Sequence, residues 1–507
     1  MKIAGLDIGT TGCKLTVFSE EGNYLEQAYQ DYPTRRGGSE CSEYEIDAEQ
    51  IMEGVMAVMK TMADRHPDID GIGVTSFGET FVFADGEGRP LHRAMLYTDH
   101  RGAKECKELA EKMGGRKIAA VTGLRPHEMY SISKMMWIKK NRPKVYEKAK
   151  HAFLMEDFVV FHLTGKAQID YSLATRTMAF DITSLKWSQD IFDLAGIDLG
   201  LMSEAVPTGT SAGRIRADIA RETGLSENVQ IISVSHDQVA AAVGAGVFDS
   251  GTAVDGAGTV ECITPLYDQL PPADVMYNGY FSVVPYVIPG KYVCYAFSYT
   301  GGALIKWCVD TFAKKEKELA KEKGISVNAY LEEEYEKNHG DGKKAGPSGI
   351  LVLPHFAGAA TPYMDTGSKG AMIGLTTAHT VGDIYRACME GVVYEMLLNM
   401  EWLKDSGIHF TMLNATGGGA RSAVWMQMKA DILNKPLTAL RTADAGTVGS
   451  AMVTGITTGC FRDLEDAAAH MVEKTKVYVP DEKMHEKYME IYSRYRKVYQ
   501  AVRHLVG

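Results

Sequence analysis

The chain has 507 residues, 45% hydrophobic and 23% charged, a globular balance with room for more than one core. With 54 basic against 65 acidic residues the net charge is −11, which argues against the basic face that a nucleic-acid partner needs. No apolar run nears the ~20 residues of a membrane span, "MKIAGLDIGTT" meets a glycine turn too early for a signal peptide, and the 8 cysteines (Cys13, Cys41, Cys106, Cys262, Cys294, Cys308, Cys388, Cys460) lack paired or zinc spacing. Reduced thiols, a cytoplasmic location and no membrane or nucleic-acid partner are expected.

"AGLDIGTTGCKLTVF" (Ala4 to Phe18) reads as two short strands around a turn of small residues. A plain hairpin needs only two turn residues. A longer Gly/Thr turn lets backbone approach a ligand, and its N–H groups can line an anion. Asp7, ending the first strand, could hold a hydrated metal ion or simply be an acidic edge. "DGIGVTSFG" (Asp70 to Gly78) is a strand entering a loop, and "GAKECKELAEKM" (Gly102 to Met113) a helix. "NVQIISVSHDQ" (Asn228 to Gln238) is a strand ending on Asp237, with a helix start, "VAAAVGAGVF", behind it. Asp237 therefore sits where α/β proteins place ligands, or it caps the helix.

"GTAVDGAGTVECIT" (Gly251 to Thr264) repeats the strand, Gly/Thr turn and strand about half a chain later. The strand–helix alternation predicts an α/β class with parallel sheets. The two hairpins predict a duplicated domain with a cleft between, the boundary near Ala245: residues 1–245 and 246–507. The charged stretch Ala313 to Gly349 reads as a solvated helical excursion and loop with no site. Met484, Tyr488, Ile491, Tyr495, Val498 and Val502 are spaced as one apolar helix face, buried against the body.

Two carboxylates, Asp7 and Asp237, with two phosphate-friendly turns make a coherent set for phosphoryl transfer: a base for the acceptor hydroxyl, an acid for Mg²⁺ and backbone donors for phosphates. Three further segments join them. "MYSISKMMWIKKN" (Met129 to Asn141) spaces Ser131, Lys134 and Trp137 three apart. "GAMIGLTTAHTVGDIYRACME" (Gly370 to Glu390) has glycines four apart, then a helix. "TGGGARSAVWMQMKADILNKPL" (Thr416 to Leu437) puts a triple glycine at a helix start. In this order they resemble the two signature segments and the nucleotide segment of the FGGY family of carbohydrate kinases. The resemblance covers nearly the whole chain, with Cys388 a small departure in the second signature.

That resemblance implies two actin/hexokinase-type (ribonuclease H-like) domains around a deep cleft. The N-terminal domain would be mainly sugar-binding and the C-terminal one mainly ATP-binding. It implies ATP and Mg²⁺, with Asp7 and Asp237 at the metal and Asp237 as the base. Gly9, Thr10, Thr11 and Lys14 would face the transferring phosphate, and Gly258 and Thr259 would form the second phosphate loop. Gly301 and Gly302 would lie by the nucleotide phosphates, and Gly417, Gly418, Gly419 and Ala420 would form the adenine turn. The acceptor side falls on Gly78, Glu79, Asp99, Arg101, Asp237 and Gln238. Gly78-Glu79 departs from the Arg-Glu of polyol kinases and the Met-His of xylulose kinases. The Phe77-Gly78 pair is closer to the deoxyketose kinases, and Gly78 is expected to leave room for a longer acceptor. Asp99 with Arg101 can also be read as a surface ion pair, and His236 is assigned no chemistry. The expected substrate is a small sugar, a ketose such as xylulose, with a deoxyketose, polyol or aldonate as alternatives; a homodimer is compatible. An actin- or chaperone-like ATPase is opposed by the signature segments, and a sugar sensor without catalysis by the presence of both Asp7 and Asp237.

Overall fold

The computed structural model describes residues 1–37, 43–340, 345–441 and 444–506; Cys41 and residues 341–344 of the charged stretch lie outside them. Lys2–Ile8 (β1), Gly12–Ser19 (β2) and Tyr24–Asp31 (β3) form an antiparallel meander. Gly71–Ser76 (β4) then pairs parallel to β1, and Gln230–His236 (β5) parallel to β4. Thr210–Arg214 closes that edge antiparallel, giving the order Thr210–Arg214, β5, β4, β1, β2, β3. β4 is buried along its whole length and β5 along nearly all of it, as the apolar runs of parallel strands require.

The second half repeats the plan. Thr252–Ala257 (β6) and Glu261–Tyr267 (β7) form the hairpin, with Tyr292–Cys294 and Ala296–Ser298 antiparallel beyond β7. Met412–Thr416 (β8) lies parallel to β6, Leu437–Leu440 (β9) parallel to β8, and Lys474–Tyr478 closes the edge antiparallel. The same strand order and sense in both halves form the doubled α/β architecture.

The sheets are joined through two helices that follow corresponding strands: Asp237–Gly244 (α1) after β5 and Ala445–Thr458 (α2) after β9. They cross in backbone contact. A side chain on Gly244 would overlap the Ala445 carbonyl, and one on Gly449 the Ala240 carbonyl. α2 also lies against the first sheet. Gly5 and Gly73 leave it space, and Ser450 Oγ donates to the Gly73 carbonyl at 2.8 Å. Ile3, Val234, Val239, Val254, Leu440 and Met452 fill one core that spans both domains.

Two expectations change in detail. The C-terminal apolar face is carried by two helices, Glu482–Tyr495 and Val498–Val506; Met484, Tyr488, Ile491, Tyr495 and Val498 are buried and Val502 half-buried. The charged stretch forms helices Lys314–Lys323 and Val327–His339. The second is not merely solvated: its Leu331 is buried in the core, and its Tyr335 is buried with the Arg386 guanidinium over its ring.

If the crossing sets the domain arrangement, Gly449→Leu should lower unfolding free energy by ~1–3 kcal/mol, as overpacking does. Urea unfolding checks this; unchanged stability would show that the helices are free to separate.

Candidate active site

Asp7 lies one residue before the end of β1, opposite Lys14 of β2. Lys14 Nζ lies 3.1 Å from Asp7 and 2.9 Å from Asp444, which caps α2 by accepting from the Thr447 N–H. The first turn of α2 is close by, since a Cβ on Gly446 would stand 3.3 Å from Asp7 Oδ2. Burial raises the Asp7 carboxyl above its ordinary range, and the Lys14 charge opposes that rise. The Gly9–Thr11 turn is held from behind: Gly9 N–H donates to the Gly12 carbonyl at 2.9 Å, and Tyr32 donates its hydroxyl to Gly9 O at 2.6 Å and its N–H to Thr11 O at 3.1 Å. That leaves Thr10 and Thr11 facing outward.

Asp237 is the first residue of α1, and His236 occupies the cap position without a side-chain cap bond. The Asp237 side chain is 31% exposed, yet its Oδ1 is buried with no hydrogen-bond partner. Its carboxyl is pushed up to about 7, first by burial and then by the charges of Asp7 and Glu79, while bonds from Gln238 pull the other way. His236 Nε2 stands 3.3 Å from Asp237 Oδ1, short of hydrogen-bond alignment, and its Nδ1 is 2.9 Å from the Tyr295 hydroxyl. Burial and the nearby Arg176 charge hold this imidazole neutral, well below the usual histidine range.

The loop that carries Glu79 is held by helix Ser131–Asn141. Ser131 Oγ donates to the Glu79 carbonyl at 2.7 Å, steadying a residue whose φ of 63° is left-handed. Glu79 Oε1 accepts from Arg176 Nε at 2.6 Å and from Nη2 as well, so Oε2 alone remains for a ligand. The Arg176 guanidinium lies 5.2 Å from the Tyr130 ring and 5.5 Å from that of Tyr295, with Nη1 buried and unpartnered. The expectation that Gly78 leaves room is corrected here. A Cβ on Gly78 would stand 2.9 Å from Arg176 Cγ and 3.0 Å from His236 Cδ2, so those side chains fill the space. Asp99 and Arg101 lie apart from this group. Asp99 is fully buried and accepts from the Tyr44 N–H at 2.8 Å and from Arg101 N–H, Nε and Nη2 at 2.6–3.1 Å. Arg101 continues to Glu45 at 2.8 Å and lies over Trp137. All of the Asp99 acceptor capacity goes to the protein, and the pair is an interior tie rather than a surface one. Burial raises the hydroxyls of Tyr97 and Tyr299, and the charge of Glu79 adds to each rise.

A cleft of 880 Å³ in the C-terminal half gathers Gly258, Thr259, Gly302, Gly418 and Gly419 with Lys306, Trp307, Asp310, Asn328, Tyr385 and Trp425. Gly301 and Gly302 donate their N–H groups to the Thr259 and Gly258 carbonyls at 2.9 and 2.8 Å, locking the glycine pair to the second hairpin turn. Gly417 has φ 86°, and a Cβ there would stand 2.6 Å from the Ala257 carbonyl. A Cβ on Gly418 would meet no atom within 4 Å, so that position looks into open space. Ala420 packs on the core. The charged stretch joins this wall through Asn328, and Glu332 accepts from Ser422 Oγ at 2.8 Å. The no-site expectation for that stretch is therefore corrected.

Sequence reasoning passed over Arg176, Tyr97, Tyr130, Tyr295 and Tyr299, and the wall residues Trp307, Asn328 and Tyr385. Tyr130 and Tyr385 carried a signal, each lying inside one of the two signature segments.

No cluster of three or more metal-ligating side chains exists among the described residues. Asp7 and Asp237 are nonetheless hard oxygen donors, and the unpartnered Asp237 Oδ1 is the kind of atom a cation needs. Mg²⁺ is commonly held by one or two carboxylates with phosphates and water, and this pair fits that pattern.

Comparison with known proteins agrees with this geometry. Residues 2–244 match the N-terminal domain of the FGGY family of carbohydrate kinases and residues 257–458 its C-terminal domain. Xylulose kinase of Bacillus subtilis is 25% identical over 505 residues, covering 99% of this chain and 97% of that one. Gluconokinase of the same organism is 27% identical, with 96% and 93% covered. Glycerol kinase of Halorhodospira halophila is 28% identical, with 94% and 92% covered. The fold is shared with the solved xylulose kinase of Lactobacillus acidophilus at TM-score 0.88 and 21% identity, covering 100% and 99% of the chains. With both domains matched in order, the chain belongs to the FGGY family of carbohydrate kinases and is an ATP-dependent sugar kinase.

Proposed function

We propose that this kinase phosphorylates a ketose such as xylulose, with Asp237 as general base. The observation that carries the reading is the unpartnered, buried Oδ1 of Asp237 at the carboxyl end of β5, where its carboxyl feels the charges of Asp7 and Glu79. In this reading the acceptor hydroxyl donates to Asp237 and loses its proton as its oxygen attacks the γ-phosphorus. Glu79 Oε2 accepts from a neighbouring hydroxyl, Gln238 steadies the base, and the Gly9–Thr11 and Gly258–Thr259 turns donate to phosphate oxygens. Asp7 and Asp237 would hold Mg²⁺, which when bound neutralises phosphate charge. Closing the domains would exclude water, itself a competing acceptor. The N-terminal domain carries the acceptor and the C-terminal one most of the nucleotide. Relatives named xylulose kinase support the ketose. A second reading, an aldonate acceptor, is favoured by one observation: Arg176 Nη1 is a buried donor without a partner, suited to a carboxylate.

Two tests follow. Asp237→Asn should keep the fold and lower kcat by roughly 10²–10⁴. In the wild type the carboxyl keeps its proton up to about pH 7, so kcat/KM should rise as pH increases through about 7 and level off above it. A variant with near-full turnover, or a rate flat from pH 5 to 8, would remove Asp237 from this role. On the nucleotide side, Gly418→Val meets no protein atom, so it should fold normally and raise the ATP KM far more than the sugar KM. Gly417→Val should instead lose stability, because its φ and the Ala257 carbonyl oppose a side chain. Unchanged ATP affinity in Gly418→Val would place the base of the nucleotide elsewhere.

A further inference from the structure

His236 was assigned no chemistry from its sequence, yet it is the residue on which the two domains meet beside Asp237. It ends β5 of the N-terminal domain and is buried at 6% exposure. Tyr295 comes from the C-terminal domain, between the short strands Tyr292–Cys294 and Ala296–Ser298, and is buried at 5%. The Tyr295 hydroxyl is 2.9 Å from His236 Nδ1, the rings lie 5.4 Å apart, and the opposite edge of the imidazole places Nε2 3.3 Å from Asp237 Oδ1. Arg176 repeats the crossing, its guanidinium in the N-terminal domain lying over the Tyr295 ring at 5.5 Å.

We propose that His236 and Tyr295 form an interdomain latch that positions the Asp237 carboxylate. This rests on the reading of Asp237 as the base. A neutral imidazole has one N–H and one acceptor nitrogen, and a carboxylate oxygen can only accept. With the N–H on Nε2, 3.3 Å from Asp237 Oδ1 but not aligned on it, the Nδ1 lone pair is left to accept from the Tyr295 hydroxyl. The phenol thereby fixes both the tautomer and the ring orientation, and the ring limits where Oδ1 can swing. Because the phenol belongs to the other domain, the carboxylate is held in place only while the domains keep this relation. His236 and Tyr295 are positioning residues: their contribution passes through Asp237.

The test is a double-mutant cycle on kcat in the full-length enzyme, with ATP and xylulose. Tyr295→Phe keeps the ring and its packing on Arg176 and removes only the hydroxyl. It should lower kcat about tenfold, since small misplacement of a reacting group is costly, with the ATP KM within about twofold. His236→Gly should lose as much, and the double variant no more than either, because one contact is removed in all three. His236→Asn places an amide oxygen near the position of Nδ1. It should recover part of the loss when Tyr295 is present and none when it is Phe. A fully active Tyr295→Phe, losses that multiply in the double variant, or equal rescue by Asn in both backgrounds would overturn the latch. The two readings fail separately. Turnover in Asp237→Asn removes the base and the latch with it, whereas an inert Asp237→Asn beside a fully active Tyr295→Phe overturns the latch alone.

Discussion

The close crossing of α1 and α2 is the constraint from which the site follows. Helices that meet at Gly244 and Gly449 approach backbone to backbone, a spacing that any side chain there would break. Each helix follows a parallel strand of its own sheet, so each N-terminus opens at that sheet's carboxyl end. α1 delivers Asp237 to the cleft. α2 brings its first turn and Asp444 beside Asp7 and Lys14. A contact between two helix backbones thus fixes the elements that carry Asp237 and Asp444, one from each domain, while Asp7 and Asp237 stand on the same first sheet and their mutual repulsion follows from its strand order. That repulsion, added to burial, holds the Asp237 carboxyl near neutrality, where a base can both keep and release a proton.

A second layer of tension lies in the acceptor group. Arg176 enters a nearly dry space between two tyrosines and pairs with Glu79, so the site carries a compensated charge pair rather than a lone carboxylate. Removing either partner would leave a buried charge alone, which is far costlier than the pair itself. The left-handed backbone of Glu79, steadied by Ser131, is a strained residue of the kind that collects at ligand sites. Helix Ser131–Asn141 therefore steadies the Glu79 loop through Ser131.

Much of the fold was legible in the sequence because period and turn chemistry are local. The two strand–Gly/Thr–strand hairpins and the helix after the triple glycine stand where the residues placed them, and the strand expected to end on Asp237 ends one residue earlier, with Asp237 opening the helix. What escaped was long-range. Nothing near Arg176 in "SLATRTMAFD" marks a partner 97 positions away, and nothing near Tyr295 marks His236. Gly78 looked like vacant space because a sequence shows what a residue lacks, not what fills the gap. Asp99 and Arg101 were correctly seen as able to pair, but their depth depended on the Glu43–Ile46 strand that covers them. The charged helix was read from its average composition, which hid the buried Leu331 and Tyr335 on one side.

The central claim is that a sugar hydroxyl, held beside Asp237, receives the γ-phosphate of ATP. The most direct measurement is ADP release by the wild-type enzyme across ketopentoses, ketohexoses, deoxyketoses, pentitols, gluconate and glycerol, each at the same concentration. The account predicts release that depends on the carbohydrate, with a ketose the best acceptor and glycerol a poor one. ADP release that no carbohydrate changes would contradict it.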